Sequence, residues 1–306
     1  MTTDWESVLR SWVRRPSDHE DAKRDRTEKQ IRAALSASNA LNGVSYKVYT
    51  KGSYANNTNV RLDYDVDIAV ECKEFCYYDN TGGAGDIQKR ALLDRSVQKY
   101  KGGYTSEAFK VDVESALVAY YGRSAVTRGN IAMRVREQKT TLPADVIPCF
   151  EYHYNYDIDH YGNPVYFQGT RVFRESGGYI NNWPAQQKDC GVAKNNRTAR
   201  RYKRMARALK HLENTLVDKD IVEDLPSFFI ECLVYNVPDD RFNHTNYVDD
   251  MRAVLAYIFN ETMSAGQCND WKEVSERKWL FRPSQGWSRD QAHQLADAAW
   301  DYMGFD

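Results

Sequence analysis

The chain has no apolar run near the roughly 18 residues that a membrane helix needs, and no hydrophobic segment near its start. Neither a membrane span nor a secretory signal is expected, and a cytoplasmic location is. Net charge is almost absent, since 42 basic and 43 acidic side chains leave −1. This excludes a surface coated all round for nucleic acid, while a local basic cleft stays open. Cysteine is sparse: Cys72, Cys76, Cys149, Cys190, Cys232 and Cys268 are scattered along the chain. Cys72 and Cys76 stand four apart and Cys149 stands four before His153, but no second matching pair completes a zinc site. Reduced, partly buried thiols are therefore expected. Internal repeats and low-complexity tails are missing too. The 306 residues, 42% hydrophobic and 13% aromatic, can bury the core of one large or two medium domains.

Trp5, Val8, Leu9, Trp12 and Val13 recur at helical spacing until Pro16-Ser17 interrupts them. A second helix is predicted over about 18–40, capped by Ser17 or Asp18 and ended by Asn42-Gly43. Val44 to Thr50 alternates as a strand does, and Asp65 to Val70 is the next strand, so Gly52-Ser53 forms a turn between two strands. TGGAG (Thr81 to Gly85) is a loop between that strand and helices predicted at about 87–100 and 106–121. Strand material follows at about 125–137, then at ADVIPCF, where Pro148 marks an edge or bulge. Tyr152, Tyr154 and Tyr156 precede a Gly162-Asn163-Pro164 turn and read as half-exposed residues of a hairpin rather than base-stacking platforms. From about residue 195 the pattern is helical. Tyr202, Met205, Leu209, Leu212 and Leu216 form one stripe, and Arg200, Lys203, Arg207 and Lys210 form the opposite, basic one. Further helices are predicted from Pro226-Ser227, over Met251 to Phe259 and over Asp290 to Met303. The chain thus divides into a strand-rich half with N-terminal helices, 1–168, and a mainly helical half, 169–306.

The chemistry concentrates in KGSYANNTNVRLDYDVDIAV, Lys51 to Val70. Asp65 and Asp67 lie two apart, so a strand projects both from one face, roughly 6.5–7 Å apart. Val66, Ile68 and Val70 then face a core. A third carboxylate, Asp145, stands beside an apolar run. Three oxygen ligands suit hard cations such as Mg²⁺ or Mn²⁺, and two such ions could hold an attacking hydroxyl and a leaving triphosphate. The upstream Gly52-Ser53 turn can offer N–H groups and a hydroxyl to phosphate oxygens. From the residues alone, Lys203 reads as part of a solvated basic stripe and Ser227 as a helix cap.

GSYANNTNVRLDYDVDIAV resembles the Gly-Ser turn and aspartate pair of the DNA polymerase β superfamily. It looks most like the cGAS/DncV-like nucleotidyltransferases (CD-NTases) of bacterial antiphage systems. PADVIPCF resembles the third-aspartate strand of that family, and NNRTARRYKRMARALKHLE and LPSFFIECLVYNV resemble its following helices. These landmarks cover most of residues 45–240. The resemblance implies an α+β fold: a polymerase β-like core of mixed sheet flanked by helices, a C-terminal helical domain, and an active site in the cleft between them. It implies that Asp65, Asp67 and Asp145 bind two metal ions, Asp145 also helping as base. Gly52, Ser53, Lys203 and Ser227 would hold the triphosphate, and Phe228 would stack on a base. Tyr64 departs from the pattern, because a small polar residue often precedes DVD in relatives.

The implied activity is synthesis of a cyclic di- or oligonucleotide messenger from nucleoside triphosphates, with release of pyrophosphate. Asn181 and Asn182 either read the edge of an incoming base or only shape a turn before Pro184. The overall likeness favours a pyrimidine-containing product made with UTP. Two other readings stand beside it: an RNA-tailing or protein-modifying nucleotidyltransferase, and an idle, nucleic-acid-binding sensor. The three intact aspartates count against the idle pocket. The implied partners are the nucleotide substrates, an effector that reads the product and a regulatory protein encoded nearby. No obligate nucleic acid is expected.

Overall fold

Strand-forming residues concentrate between Tyr46 and Asn182, and a mixed seven-stranded sheet forms there. The computed structural model describes residues 3–15, 17–60, 65–81 and 86–305. Tyr64 and most of the TGGAG run lie outside them. β2 (Val66–Asp79) and β5 (Ala144–Ile158) run parallel at the centre of the sheet. β1 (Tyr46–Thr50) pairs antiparallel with β2, giving the order β1-β2-β5-β4-β3, with β3 Val126–Arg128 and β4 Met133–Val135. β6 (Pro164–Phe173) folds back on β5, and β7 (Tyr179–Asn182) pairs with β6.

Pro148 is neither at an edge nor at a bulge. It pairs in register with Val70 at the middle of the sheet. On the other side of β5, β4 pairs only as far as Val146 and β6 only from Phe150. The proline sits in the gap where the strand changes neighbours, which is how a residue without an N–H is tolerated there.

Strand alternation gives the sheet two faces. Val66, Ile68, Val70, Val146 and Phe150 are fully buried on one. There α5 (Ser106–Tyr121) packs edge-on through Phe109 against Phe150, ring centroids 5.6 Å apart. Thr105 caps α5 by accepting from Ala108, and Gly122 ends it at φ 84°. α2 (Asp18–Ser36) is tied to the approach of β5, where Thr27 Oγ1 accepts from the Leu142 N–H at 2.9 Å. The other face carries Asp67, Ala69, Asp145, Ile147 and Cys149. The Gly-Ser turn is itself helical: Gly52–Asn56 forms a short helix, α3, entered at a positive φ of 67° on Gly52. The predicted helix at about 87–100 is shorter, α4 (Ile87–Ser96).

The helical part contains α1 (Trp5–Trp12), α6 (Pro184–Arg197), α7 (Arg201–Val217), α8 (Ser227–Asn236), α9 (Tyr247–Thr262) and α10 (Arg289–Met303). α7 buries the whole predicted stripe, since Tyr202, Met205, Leu209, Leu212 and Leu216 are all at 0% exposure. α6 has no apolar period to announce it. It begins on proline, whose missing N–H costs nothing in a first turn. Left-handed Ala199 (φ 46°) and Arg200 (φ 65°) separate it from α7.

By their packing the described residues fall into two compact units. One spans Asp18–Lys51 and Tyr64–Pro184; the other comprises Met1–Ser17, Gly52–Asp63 and Ala185–Asp306. A single cut after residue 168 does not describe them. β6 continues through Phe173 and β7 adds to it, so the sheet runs on to Asn182. Leu9 and Val13 belong to the helical core instead. No helix among the described residues is long and apolar enough to cross a membrane.

Candidate active site

Asp67 and Asp145 are register partners on the neighbouring parallel strands β2 and β5, so their carboxylates leave one face about 4.8 Å apart at the backbone. Asp65 immediately precedes β2. The strands are held at this point by Val66 N–H donating to Pro143 O and Lys51 N–H donating to Asp67 O, both at 2.9 Å. Arg134, the β4 partner of Asp145, spans two of the carboxylates. Its Nη2 donates to Asp65 Oδ2 at 3.2 Å and its Nε to Asp145 Oδ1 at 3.3 Å. The field of Asp145, and then of Asp65, raises the guanidinium above its ordinary range.

No three His, Cys, Asp or Glu side chains among the described residues converge as a metal cage. The chemistry of the trio still suits a hard divalent ion: its donors are all oxygen, and a cation is already drawn onto two of them. A metal would compete with Arg134. Arg134 is 62% exposed in its side chain, so its hold is worth at most about 1 kcal/mol. Arg134→Gln is therefore expected to tighten Mn²⁺ binding to the nucleotide-free protein, by no more than about fivefold. An electron paramagnetic resonance titration of free Mn²⁺ measures this, and weaker binding by the variant would mean that Arg134 assists the site.

Gly52, Ser53, Lys203, Ser227 and Phe228 belong to the helical unit. Of the predicted basic stripe, Arg200, just before α7, is exposed, but the three residues within the helix are not solvated. Lys203 is 8% exposed, Arg207 4% and Lys210 2%. Arg207 donates to the carbonyls of Val13 and Asn57, and Lys210 Nζ to the carbonyl of Thr58 at 3.0 Å. Burial pushes the Lys203 ammonium down; Glu231 opposes this, while Arg15, Arg207 and Lys188 add to it. Burial, followed by Arg15 and Arg204, also pushes Arg207 down to about 10. Positive charge is in excess around Lys203, which is the field an anion would relieve. Ser227 opens α8, but the cap position is taken by Pro226. Phe228 is half-buried, its ring edge-on to Trp287 at a centroid distance of 6.2 Å.

Asn181 and Asn182 lie on a strand, not in a turn, and alternation sends them to opposite faces. Asn182 pairs with Thr170, which pairs with Glu151, and Glu151 shares the face of Cys149, Ile147 and Asp145. Ala69, Ile147, Cys149 and Val172 pack together there. Asn181 pairs with Arg171 on the far face, and its Oδ1 accepts from Arg171 Nε at 2.9 Å. That guanidinium is 8% exposed and stacks over Tyr179, Tyr152 and Tyr77 at 3.8, 4.7 and 5.2 Å. Tyr152, read from the sequence as half-exposed, is thus buried under an arginine; Tyr154 and Tyr156 remain half-buried. Gly169 lets β7 come this close, since a Cβ there would lie 2.5 Å from the Asn182 carbonyl oxygen. Arg134 and Arg171 carry no motif; only strand pairing reveals them.

The family model of the cGAS/DncV-like nucleotidyltransferase C-terminal helical domain matches residues 189–304. A Legionella pneumophila protein, cyclic dipyrimidine nucleotide synthase CdnE, is 36% identical over 305 residues, covering 99% of each chain. The cyclic dipurine nucleotide synthase of Elizabethkingia meningoseptica is 33% identical over 305 residues, 98% of each. Among solved structures, the Rhodothermus marinus CdnE c-UMP-AMP synthase with Apcpp and Upnpp has a TM-score of 0.82 at 29% identity. That match covers 98% of this chain and 97% of that one. The mixed sheet, the aspartates facing one another across β2 and β5, and likeness over the full length of these relatives agree: the chain belongs to the cGAS/DncV-like nucleotidyltransferase family.

Proposed function

We propose that this protein joins nucleoside triphosphates into a cyclic dinucleotide, releasing pyrophosphate, with a pyrimidine nucleotide among its substrates. The observation that carries the reading is the register pairing of Asp67 with Asp145, Asp65 alongside, in a chain this similar to cyclic nucleotide synthases. Asp65, Asp67 and Asp145 would hold two Mg²⁺ or Mn²⁺ ions, which supply charge neutralisation at the attacking and leaving oxygens. Asp145 is also the carboxylate assigned to accept the proton of the attacking hydroxyl. Gly52, Ser53, Lys203 and Ser227 would bind the triphosphate, the excess positive charge around Lys203 supporting its part. Phe228 is the ring proposed to meet a base. A cytoplasmic role in antiphage signalling, with an effector that reads the product and a regulatory partner, completes the reading.

The choice of base is finer. The dipyrimidine relative at 36% identity supports UTP, and the dipurine relative at 33% means that likeness over the whole chain does not by itself fix the base. Asn182, on the carboxylate face, is the proposed reader; Asn181 has its carbonyl held by Arg171. Incubation with four labelled nucleoside triphosphates and Mg²⁺ or Mn²⁺, followed by phosphatase, tests both points. A phosphatase-resistant small product containing uridylate is expected. Label passing only to added RNA or protein would overturn the reading. Asn182→Ser should change the nucleotide composition of the product and Asn181→Ser should not; the reverse pattern would put the reader on the wrong face.

A further inference from the structure

The segment after the Gly-Ser turn is gripped at every polar atom of Thr58. Its hydroxyl donates to Glu231 Oε2 of α8, its carbonyl accepts from Lys210 Nζ of α7 at 3.0 Å, and its N–H donates to the Ser53 carbonyl at 3.0 Å. One residue earlier, Asn57 is left-handed at φ 55° and its carbonyl accepts from Arg207. Thr58 is 0% exposed, Lys210 2%, Glu231 3% and Arg207 4%. Lys210 and Glu231 also approach each other at 3.7 Å. Buried charges of this kind cost desolvation, so their partners are held to strict geometry. Here their partners include the Thr58 hydroxyl and the carbonyls of Asn57 and Thr58, all on one short loop.

We infer that Thr58, clamped by Glu231 and Lys210 while Arg207 holds the Asn57 carbonyl before it, is a positioning residue that fixes the Gly52-Ser53 turn for triphosphate binding. The inference rests on the proposed role of that turn. Thr58 need not touch the nucleotide. Its N–H fixes where the Ser53 carbonyl lies, and the two gripped carbonyls keep Asn57 in a conformation that only a few residue types adopt readily. Loss of the hydroxyl leaves Glu231 Oε2 without this donor; Lys210, 3.7 Å away, is drawn onto the carboxylate and off the Thr58 carbonyl, which releases the loop. The turn then moves with it.

Thr58→Val keeps the shape and removes the hydroxyl; Thr58→Ser keeps the hydroxyl. Isothermal titration with a non-hydrolysable nucleoside triphosphate and with the matching monophosphate reads the difference. Thr58→Val is expected to weaken the triphosphate at least about tenfold, a loss of about 1.4 kcal/mol, and to leave the monophosphate unchanged. Thr58→Ser should stay within about twofold of wild type for both. Leu255→Ala, a cavity in the core of the helical unit, is the control for lowered stability and should change neither affinity. If valine prevents folding, Arg207→Lys, which keeps the charge and loses the fork that reaches the Asn57 carbonyl, is read in the same way. Equal weakening of both ligands, no weakening, or the same weakening in Leu255→Ala overturns the positioning role. A wild-type protein that makes dinucleotide while its Thr58→Val variant binds normally refutes this inference alone. A wild type that makes no product and binds no triphosphate refutes the proposed function, and the inference falls with it.

Discussion

Asp67→Ala is expected to reduce nucleotide joining by at least about a thousandfold, roughly 4 kcal/mol of transition-state stabilisation, while the protein stays folded. Asp67 faces Asp145 across paired strands, and no other carboxylate lies between Asp65 and Glu71 to replace it. The fold should tolerate the change because β2 is anchored by its other face, where Val66, Ile68 and Val70 are fully buried. Removing one of three neighbouring carboxylates also relieves like-charge repulsion, so the melting temperature of the nucleotide-free variant should equal or exceed that of wild type. Rate measurements with labelled triphosphates and a thermal melt decide together. Synthesis within tenfold of wild type would remove the metal-site argument.

Lys203→Met should raise the KM for triphosphate by about 10- to 100-fold, the loss of one charge-assisted contact of about 1.5–3 kcal/mol. It should also raise the melting temperature of the nucleotide-free protein at neutral pH. Burial, reinforced by Arg15, Arg207 and Lys188 against the help of Glu231, holds the Lys203 pKa below its ordinary value. The folded protein therefore grips that proton less tightly than the unfolded chain does. The charge destabilises the fold below the folded pKa, and the penalty fades as pH rises from there toward the unfolded value. Wild type should thus gain on the methionine variant with rising pH in that window. A variant less stable than wild type at neutral pH, with an unchanged KM, would return Lys203 to a purely structural role.

The aspartates were legible because period-two alternation is local: Asp65 and Asp67 with Val66, Ile68 and Val70 already define two faces. The apolar stripe of α7 was legible for the same reason, at period 3.6. Its basic side is buried where the sequence suggests a solvated one, since a lysine's environment is set by segments far away in sequence. The buried partner of Lys210 is the carbonyl of Thr58, 152 positions earlier. Asn181 and Asn182 are alike as neighbours in the sequence, and only the pairing of β7 with β6 puts one on the sheet face that carries the carboxylates and the other against Arg171. α6 has no apolar period, and Pro148, which by itself marks a strand edge, lies mid-sheet where β5 changes neighbours.

By itself, then, the sequence determined the Asp65–Asp67 pair, the alternation of strands and helices and the motifs of the family likeness, because each rests on residues close together in the chain; Asp145, 78 positions after Asp67, joins the pair only through the pairing of β2 with β5. Tertiary structure alone decided which strand lies beside which, and so that Arg134 reaches two of the aspartates. It also decided that the Gly52-Ser53 segment packs with the helical unit while Asp65 and Asp67 stay with the sheet. The reason is physical: pairing and burial are settled by contacts between distant segments, and no local pattern around a residue records which segment will arrive.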